Sequence, residues 1–175
     1  GILSLPPVTL SPTPMASASN QTWYLHDTPT TVGTTIFHTI NTSTPNGTAA
    51  NVTANLSAIG YYEFSENGTG HRDIFASTAV PNNSTWNLSG TWTFNTWIRS
   101  SAAGSGAAYT QARIYKINTA GNLTWLYTTA NDSTDCLGST TAALMTWDGL
   151  VPTTVLRAGE RFGVEFLLKV TTSQT

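Results

Sequence analysis

Nowhere along this chain do apolar residues recur at the i, i+3, i+4, i+7 spacing of an amphipathic helix. They alternate instead, in β-branched and aromatic runs separated by turn chemistry. That pattern excludes a helical fold and requires sheets. Over 91–98, Trp92, Phe94 and Ile98 share one face of an extended strand, while Thr93 and Asn95 take the other. Near the C-terminal end, Phe162, Val164, Phe166 and Leu168 alternate with Gly163, Glu165, Leu167 and Lys169. Strands are expected near 22–27, 31–40, 52–64, 72–78, 91–99, 108–117, 123–129, 142–147 and 161–171. Turns are expected at 81–83, 118–121 and 157–160, and 100–106 reads as a small-residue loop. Eight or nine strands at this spacing predict an all-β fold, a β-sandwich of jelly-roll or immunoglobulin-like type.

The chain has 175 residues, the size of one domain or of one domain with a short arm. Charged residues are 9% of it, against roughly 25% in an average soluble domain. With seven basic residues scattered singly and a net charge of −2, it has no footprint for nucleic acid. No run approaches the roughly 18 apolar residues of a membrane span. Six Trp, six Tyr and six Phe argue for a packed core and against disorder. Scarce carboxylates leave little paired charge to lose on acidification, which suits a harsh exterior. Gly1 at the start suggests a mature terminus left by signal-peptide cleavage. Cys136 is the only cysteine, so no intramolecular disulfide can form, and it reads first as a small buried hydrophobe.

The sequon Asn-X-Ser/Thr occurs at Asn20, Asn41, Asn46, Asn51, Asn55, Asn67, Asn82, Asn83, Asn87, Asn122 and Asn131. Thirteen Asn in a chain that is 28% Ser and Thr would give roughly four by chance. The surplus points to N-glycans and therefore to a secreted, extracellular or cell-surface protein. Asn82 and Asn83 overlap, so only one of them is expected to carry a glycan. Sites crowd between Asn41 and Asn87, a stretch expected to face outward in any assembly.

Residues 1–20 differ from the rest, and 21–175 are assigned to the sandwich. Ile2, Leu3, Leu5, Val8 and Leu10 form a short apolar segment interrupted by Pro6 and Pro7. A Pro-rich spacer containing Pro12 and Pro14 follows, then small residues. An apolar segment on a stiff leash reads as an arm; the plainer alternative is an N-terminal edge strand packed on its own domain.

Catalytic and metal signatures are missing. His26, His38 and His71 lack the close spacing of metal ligands. His71-Arg72-Asp73 stands without the other parts of a kinase, and the Gly104-Ser105-Gly106 loop is not a nucleophile elbow. Asp132 and Asp135 could contribute oxygens to a calcium site, but a polar turn explains them as well. Glu63 and Glu66 fall on opposite faces of an extended strand, and Asp148 and Glu165 read as isolated. Lys116 and Lys169 lie in apolar strands, as snorkelling side chains or, less simply, as partners in a Lys–Asn crosslink. Neither an enzyme nor a cofactor is expected.

An apolar arm from Ile2 to Leu10, a Pro-rich leash, a β-sandwich ending in 161–171 and crowded sequons together resemble the subunits of archaeal surface filaments, the threads and bundling pili. The resemblance covers overall organisation rather than a residue-by-residue motif. It implies an extracellular fibre, serving adhesion or biofilm, in which each subunit's arm is a donor strand completing the sheet of its neighbour. The partner would be the chain itself, in a head-to-tail homopolymer. Type IV pilins and archaellins fit poorly, since Pro6, Pro7, Pro12 and Pro14 forbid their long N-terminal helix. The competing reading is a carbohydrate- or receptor-binding jelly roll, of the kind found on viral surfaces. Its feature is the set Trp23, Trp86, Trp92, Trp97, Trp125 and Trp147, although Trp is more often core in a sandwich. Trp97 breaks the alternation of Trp92 and Phe94, so it or Trp86 is the ring expected to be exposed.

Overall fold

The computed structural model describes residues 21–43, 60–63, 74–98, 107–132, 135 and 140–172. Among these residues are no helix and nine strands: β1 (Tyr24–Val32), β2 (Thr35–Asn41), β3 (Gly60–Glu63), β4 (Ile74–Ala76), β5 (Thr85–Ile98), β6 (Ala107–Ile117), β7 (Leu123–Thr128), β8 (Ala143–Arg157) and β9 (Arg161–Thr172). The fold is all-β. Many strands lie where alternation places them, but the single strand expected at 31–40 is broken by the turn at Gly33, so that its start belongs to β1 and the rest to β2. β5 starts earlier than expected, because Trp86 and Leu88 continue its inward face. β8 runs on past Trp147 through Gly149 and Pro152. It can do so because the register shifts between Leu88 and Gly90, which pair with Thr154 and Val151 and leave Pro152 at a bulge. A proline at a bulge forfeits no ladder hydrogen bond. Of the strand expected at 52–64, β3 is the described part.

The larger sheet has the order β1-β2-β4-β9-β6-β7, with β3 also paired to β9. β6 pairs along the whole of one edge of β9. β4 and β3 therefore share its other edge end to end, opposite 163–165 and 167–170. All pairs are antiparallel except β2 with β4. Among the described residues the second sheet is two-stranded, β5 paired with β8.

One apolar cluster joins the two sheets. It combines Leu88, Phe94, Met145, Trp147, Val151 and Leu156 from the β5–β8 sheet with Ala112, Ile114, Phe162, Val164, Phe166 and Leu168 from the large sheet. This is sheet-on-sheet packing, a β-sandwich. At its centre Phe94 stacks on Trp147 at 5.5 Å, and Phe166 meets both edge-on at 6.3 and 6.1 Å. These are the offset and T-shaped geometries that ring quadrupoles favour.

β9 is buried on its other face as well. The β1–β2 hairpin pairs with β4 only at His38 and Thr39. Beyond that contact its Val32 and Phe37 pack with Ile74, Ala76, Tyr115 and Ile117 in a second cluster. The hairpin tip turns at Gly33, with φ 61°. A Cβ there would lie 2.1 Å from the Ala120 carbonyl oxygen, so close approach as well as backbone angle selects glycine. On this face Glu165 and Leu167 are fully buried. Glu165, which reads as isolated in sequence, accepts a 2.7 Å hydrogen bond from Tyr115 Oη and lies 3.6 Å from Arg113 Nη1. Burial, then the neighbouring Glu165 charge, pushes the Tyr115 hydroxyl up to about 12. Lys116 is half-buried and ion-pairs with Glu160 at 2.8 Å.

Candidate functional site

The two strands of the small sheet have unlike surroundings. Beside β8 stand Tyr127 and Thr129, at and just after the end of β7. Trp147 Nε1 donates to Thr129 Oγ1 at 3.0 Å. Gly149 passes so close that a Cβ would meet Thr129 Cγ2 at 2.6 Å. The inward residues Met145, Trp147, Val151 and Leu156 are accordingly buried.

β5 has no such neighbour. Among the described residues its only partner is β8. Its inward residues Trp86, Trp92, Thr96 and Ile98 are only half-buried, although Trp86, Trp92 and Ile98 pack against the core. Trp23 and Leu25, also half-buried against that core, form the facing wall. Trp23 meets Phe162 edge-on at 4.9 Å and Trp86 at 5.9 Å, and Trp92 meets Phe162 at 5.3 Å. The result is a half-buried apolar cluster beside β5, in which Trp23, Trp86 and Trp92 surround Phe162.

Two features make this edge unusual. β5 is 14 residues long, roughly 46 Å of strand. It also contains no charged residue and no proline. Long edge strands normally carry a Lys, a Pro or a strong bulge that prevents further pairing. In an antiparallel pair about half the backbone N–H and C=O groups point away from the partner. Among the described residues those groups of β5 have no strand partner and border half-buried apolar side chains, an arrangement that can accept an added strand.

Gln21 and Thr22, the first described residues, are exposed, and Trp23 follows, wedged between Trp86 and Phe162 beside the start of β5. The expected donor residues Ile2, Leu3, Leu5, Val8 and Leu10 lie outside the described residues, as do Asn20, Asn46, Asn51, Asn55, Asn67, His71 and Cys136.

The described sequon asparagines are at the surface. Asn82, Asn83, Asn87, Asn122 and Asn131 are exposed, and Asn41 is half-buried, accepting the Ser43 N–H at 2.8 Å. Asn83 has φ 61° in a turn closed by Ser84 N–H to the Pro81 carbonyl. That turn borders the β8–β9 turn through Gly159 N–H to the Val80 carbonyl, and the β8–β9 turn packs on Thr119 of the β6–β7 turn. Asn82, Asn83 and Asn122 thus decorate one end of the sandwich.

Other polar candidates have structural partners. His26 Nε2 lies 3.0 Å from the Ser43 carbonyl oxygen, and His38 packs on Phe75 at 5.4 Å. Asp135 Oδ1 accepts the Ala108 N–H at 2.9 Å, capping the start of β6, and Asp132 is buried with its N–H on the Thr110 carbonyl. Among the described residues no group of three or more His, Cys, Asp or Glu is placed to hold a metal ion, and no helix is long and apolar enough to cross a membrane. Of the tryptophans, Trp147 is buried, Trp23, Trp86 and Trp92 are half-buried, and Trp97 and Trp125 are exposed. Sequence reasoning missed the pairing of Trp23 with β5. The only local signal was an aromatic just ahead of the first strand.

Comparison with known proteins finds no family model that matches the chain and no curated protein similar to it.

Proposed function

We propose that this protein is the structural subunit of an extracellular, N-glycosylated filament, joined head to tail by donor-strand complementation and serving adhesion or biofilm formation at a cell surface. The observation that carries the reading is β5: a long, uncharged strand with one partner among the described residues, its half-buried Trp86 and Trp92 lying beside Trp23 and Phe162. In this account the arm of one copy, Ile2 to Leu10, lies along β5 of the next. Ile2, Leu3, Leu5, Val8 and Leu10 are the available apolar plugs. Burying four such side chains contributes roughly 6–12 kcal/mol before ordering costs. Pro6 and Pro7 each remove a ladder donor, so they fall where the nitrogens face away from β5 or between two short pairings. Because a one-residue slip exchanges the two faces of a strand, the proline pair also restricts the register. Insertion of this kind is a heterologous contact, and one that does not close into a ring propagates as a fibre. The Thr- and Asn-rich surface with its exposed sequons suits a glycosylated exterior. Nothing in the reading requires a cofactor or an enzymatic step.

The experiment is to delete residues 1–10 and to supply that segment separately as a free peptide. Deletion is expected to abolish polymerisation, and the peptide to bind and stabilise the truncated monomer. Filaments formed by the truncated chain would refute the proposal. So would a full-length chain that stays monomeric at every concentration yet loses stability on deletion, since its arm would then dock on its own domain.

A further inference from the structure

The outer face of the β5–β8 sheet, turned away from the core, carries a second arrangement. Four successive cross-strand pairs point outward there: Trp97 with Leu144, Asn95 with Thr146, Thr93 with Asp148, and Thr91 with Leu150. Rows of this kind recur about every 7 Å along a strand. Trp97 is 71% exposed and Leu144 48%, so the indole presents a face to water at the end of a flat polar strip. The strip is ordered by its own hydrogen bonds. Thr146 Oγ1 donates to Asn95 Oδ1 at 2.8 Å, and Thr93 Oγ1 donates to Asp148 Oδ1 at 2.7 Å. These bonds fix both hydroxyl protons. They leave the Asn95 amide donors and the second Asp148 oxygen for another partner.

The chemistry of that partner follows from the strip. Over 91–98 and 143–150 the only charged residue is Asp148, and there is no base. A single carboxylate without a cation repels anionic polymers such as nucleic acid or acidic polysaccharide. A protein partner would favour an apolar centre with a polar rim. Here the centre is polar and the aromatic stands at one end. A sugar chain matches both parts, since its C–H faces stack on an indole while its hydroxyls exchange hydrogen bonds with amide and carboxylate groups. The internal bonds also hold the strip in place before a ligand arrives, which lowers the ordering cost of binding.

We propose that this face, with Trp97 as the stacking platform and Asn95, Thr146 and Asp148 as the hydrogen-bonding strip, binds an uncharged oligosaccharide. The site stands independently of the inward face of β5, which is on the other side of the strand.

The test uses the full-length chain produced without glycosylation. Calorimetry is run against mannohexaose, against cellohexaose and against glycans released from the native protein, with polygalacturonate as the anionic control. Binding to at least one neutral probe, and none to polygalacturonate, is expected. Trp97→Ala should weaken that binding at least tenfold, Asp148→Asn about threefold or more, and Trp97→Phe less than Trp97→Ala. Trp125→Ala, which removes the other exposed indole, should leave it unchanged. Unaltered melting of Trp97→Ala shows that the loss is local. Binding to the released glycans alone supports the site and identifies a second copy as the source of the sugar, whereas binding to mannohexaose or cellohexaose identifies free polysaccharide. Binding of none of the neutral probes, or equal binding by Trp97→Ala, overturns the proposal. It is also overturned if Trp97→Ala changes the state of association and not sugar binding, which would make the patch a contact between copies.

Discussion

Replacing Tyr115 by Phe removes one hydroxyl and leaves a fully buried carboxylate short of a donor. Tyr115 Oη lies 2.7 Å from Glu165 Oε2, and Arg113 Nη1 stands 3.6 Å from the same oxygen. Hydrogen bonds to charged groups are worth about 1.5–3 kcal/mol, and Arg113 continues to neutralise the carboxylate, so a loss near 2 kcal/mol at neutral pH is expected. The pH dependence gives a second reading of the same interaction. Burial, followed by the Glu165 hydrogen bond and charge, raises the Tyr115 hydroxyl from 10.0 to about 12 in the folded chain. A folded value above the unfolded one contributes stability that is complete below pH 10 and lost as pH rises towards 12. Two pH units correspond to at most about 3 kcal/mol. Urea unfolding followed by circular dichroism at pH 7, 9, 10, 11 and 12 checks this. The gap between the parent chain and Tyr115→Phe is expected to hold to pH 10 and then narrow, because only the parent has this phenol to ionise. A gap that stays constant from pH 9 to 12, or a variant as stable as the parent at pH 7, would refute the argument.

Gly33→Ala meets the Ala120 carbonyl with a Cβ at 2.1 Å and a φ of 61°. No rotamer relieves that contact, so thermal melting should show a loss of more than about 1 kcal/mol, the ordinary cost of a side chain at positive φ. Phe94→Ala removes the ring between Trp147 and Phe166 and should cost about 3–5 kcal/mol in the same assay. Native protein should exceed the 18.6 kDa of the polypeptide by several glycans in intact-mass measurement, with peptide mapping placing them at Asn87, Asn122, Asn131 and one of Asn82 and Asn83. A native mass equal to that of the bare chain would remove the glycoprotein reading.

Strand positions could be read from the sequence because period-two alternation is local: Trp92 and Phe94 point inward and Thr93 and Asn95 outward in β5, as their order dictates. Trp97, out of step with Trp92, is exposed for the same reason. Pairing is not local, and there the sequence was mute. Nothing near Thr85 or Arg157 announces that these residues face each other or that β5 pairs with β8 across two intervening strands. Glu165 looked solitary because its partners Arg113 and Tyr115 come from β6, about 50 residues away in the chain. A proline ordinarily ends a strand, and only the bulge shows how β8 carries Pro152. The apolar arm and its prolines suggested a donor strand, but nothing in the sequence marked β5, whose inward Trp86, Trp92, Thr96 and Ile98 are half-buried while Met145, Trp147, Val151 and Leu156 of β8 are buried.

The central claim, that β5 receives the arm of a second copy, is tested most directly by hydrogen exchange over 85–98. The chain lacking residues 1–10 is compared with and without the 1–10 peptide, and with assembled full-length protein. Amides of β5 that point away from β8, about half of the strand, are unpaired in the account given for the truncated chain. They should exchange fast in the truncated chain and become protected both by the peptide and by assembly, while β8 changes little. If β5 amides are equally protected in all three states, or if protection on assembly appears in another strand and β5 stays open, the account is contradicted.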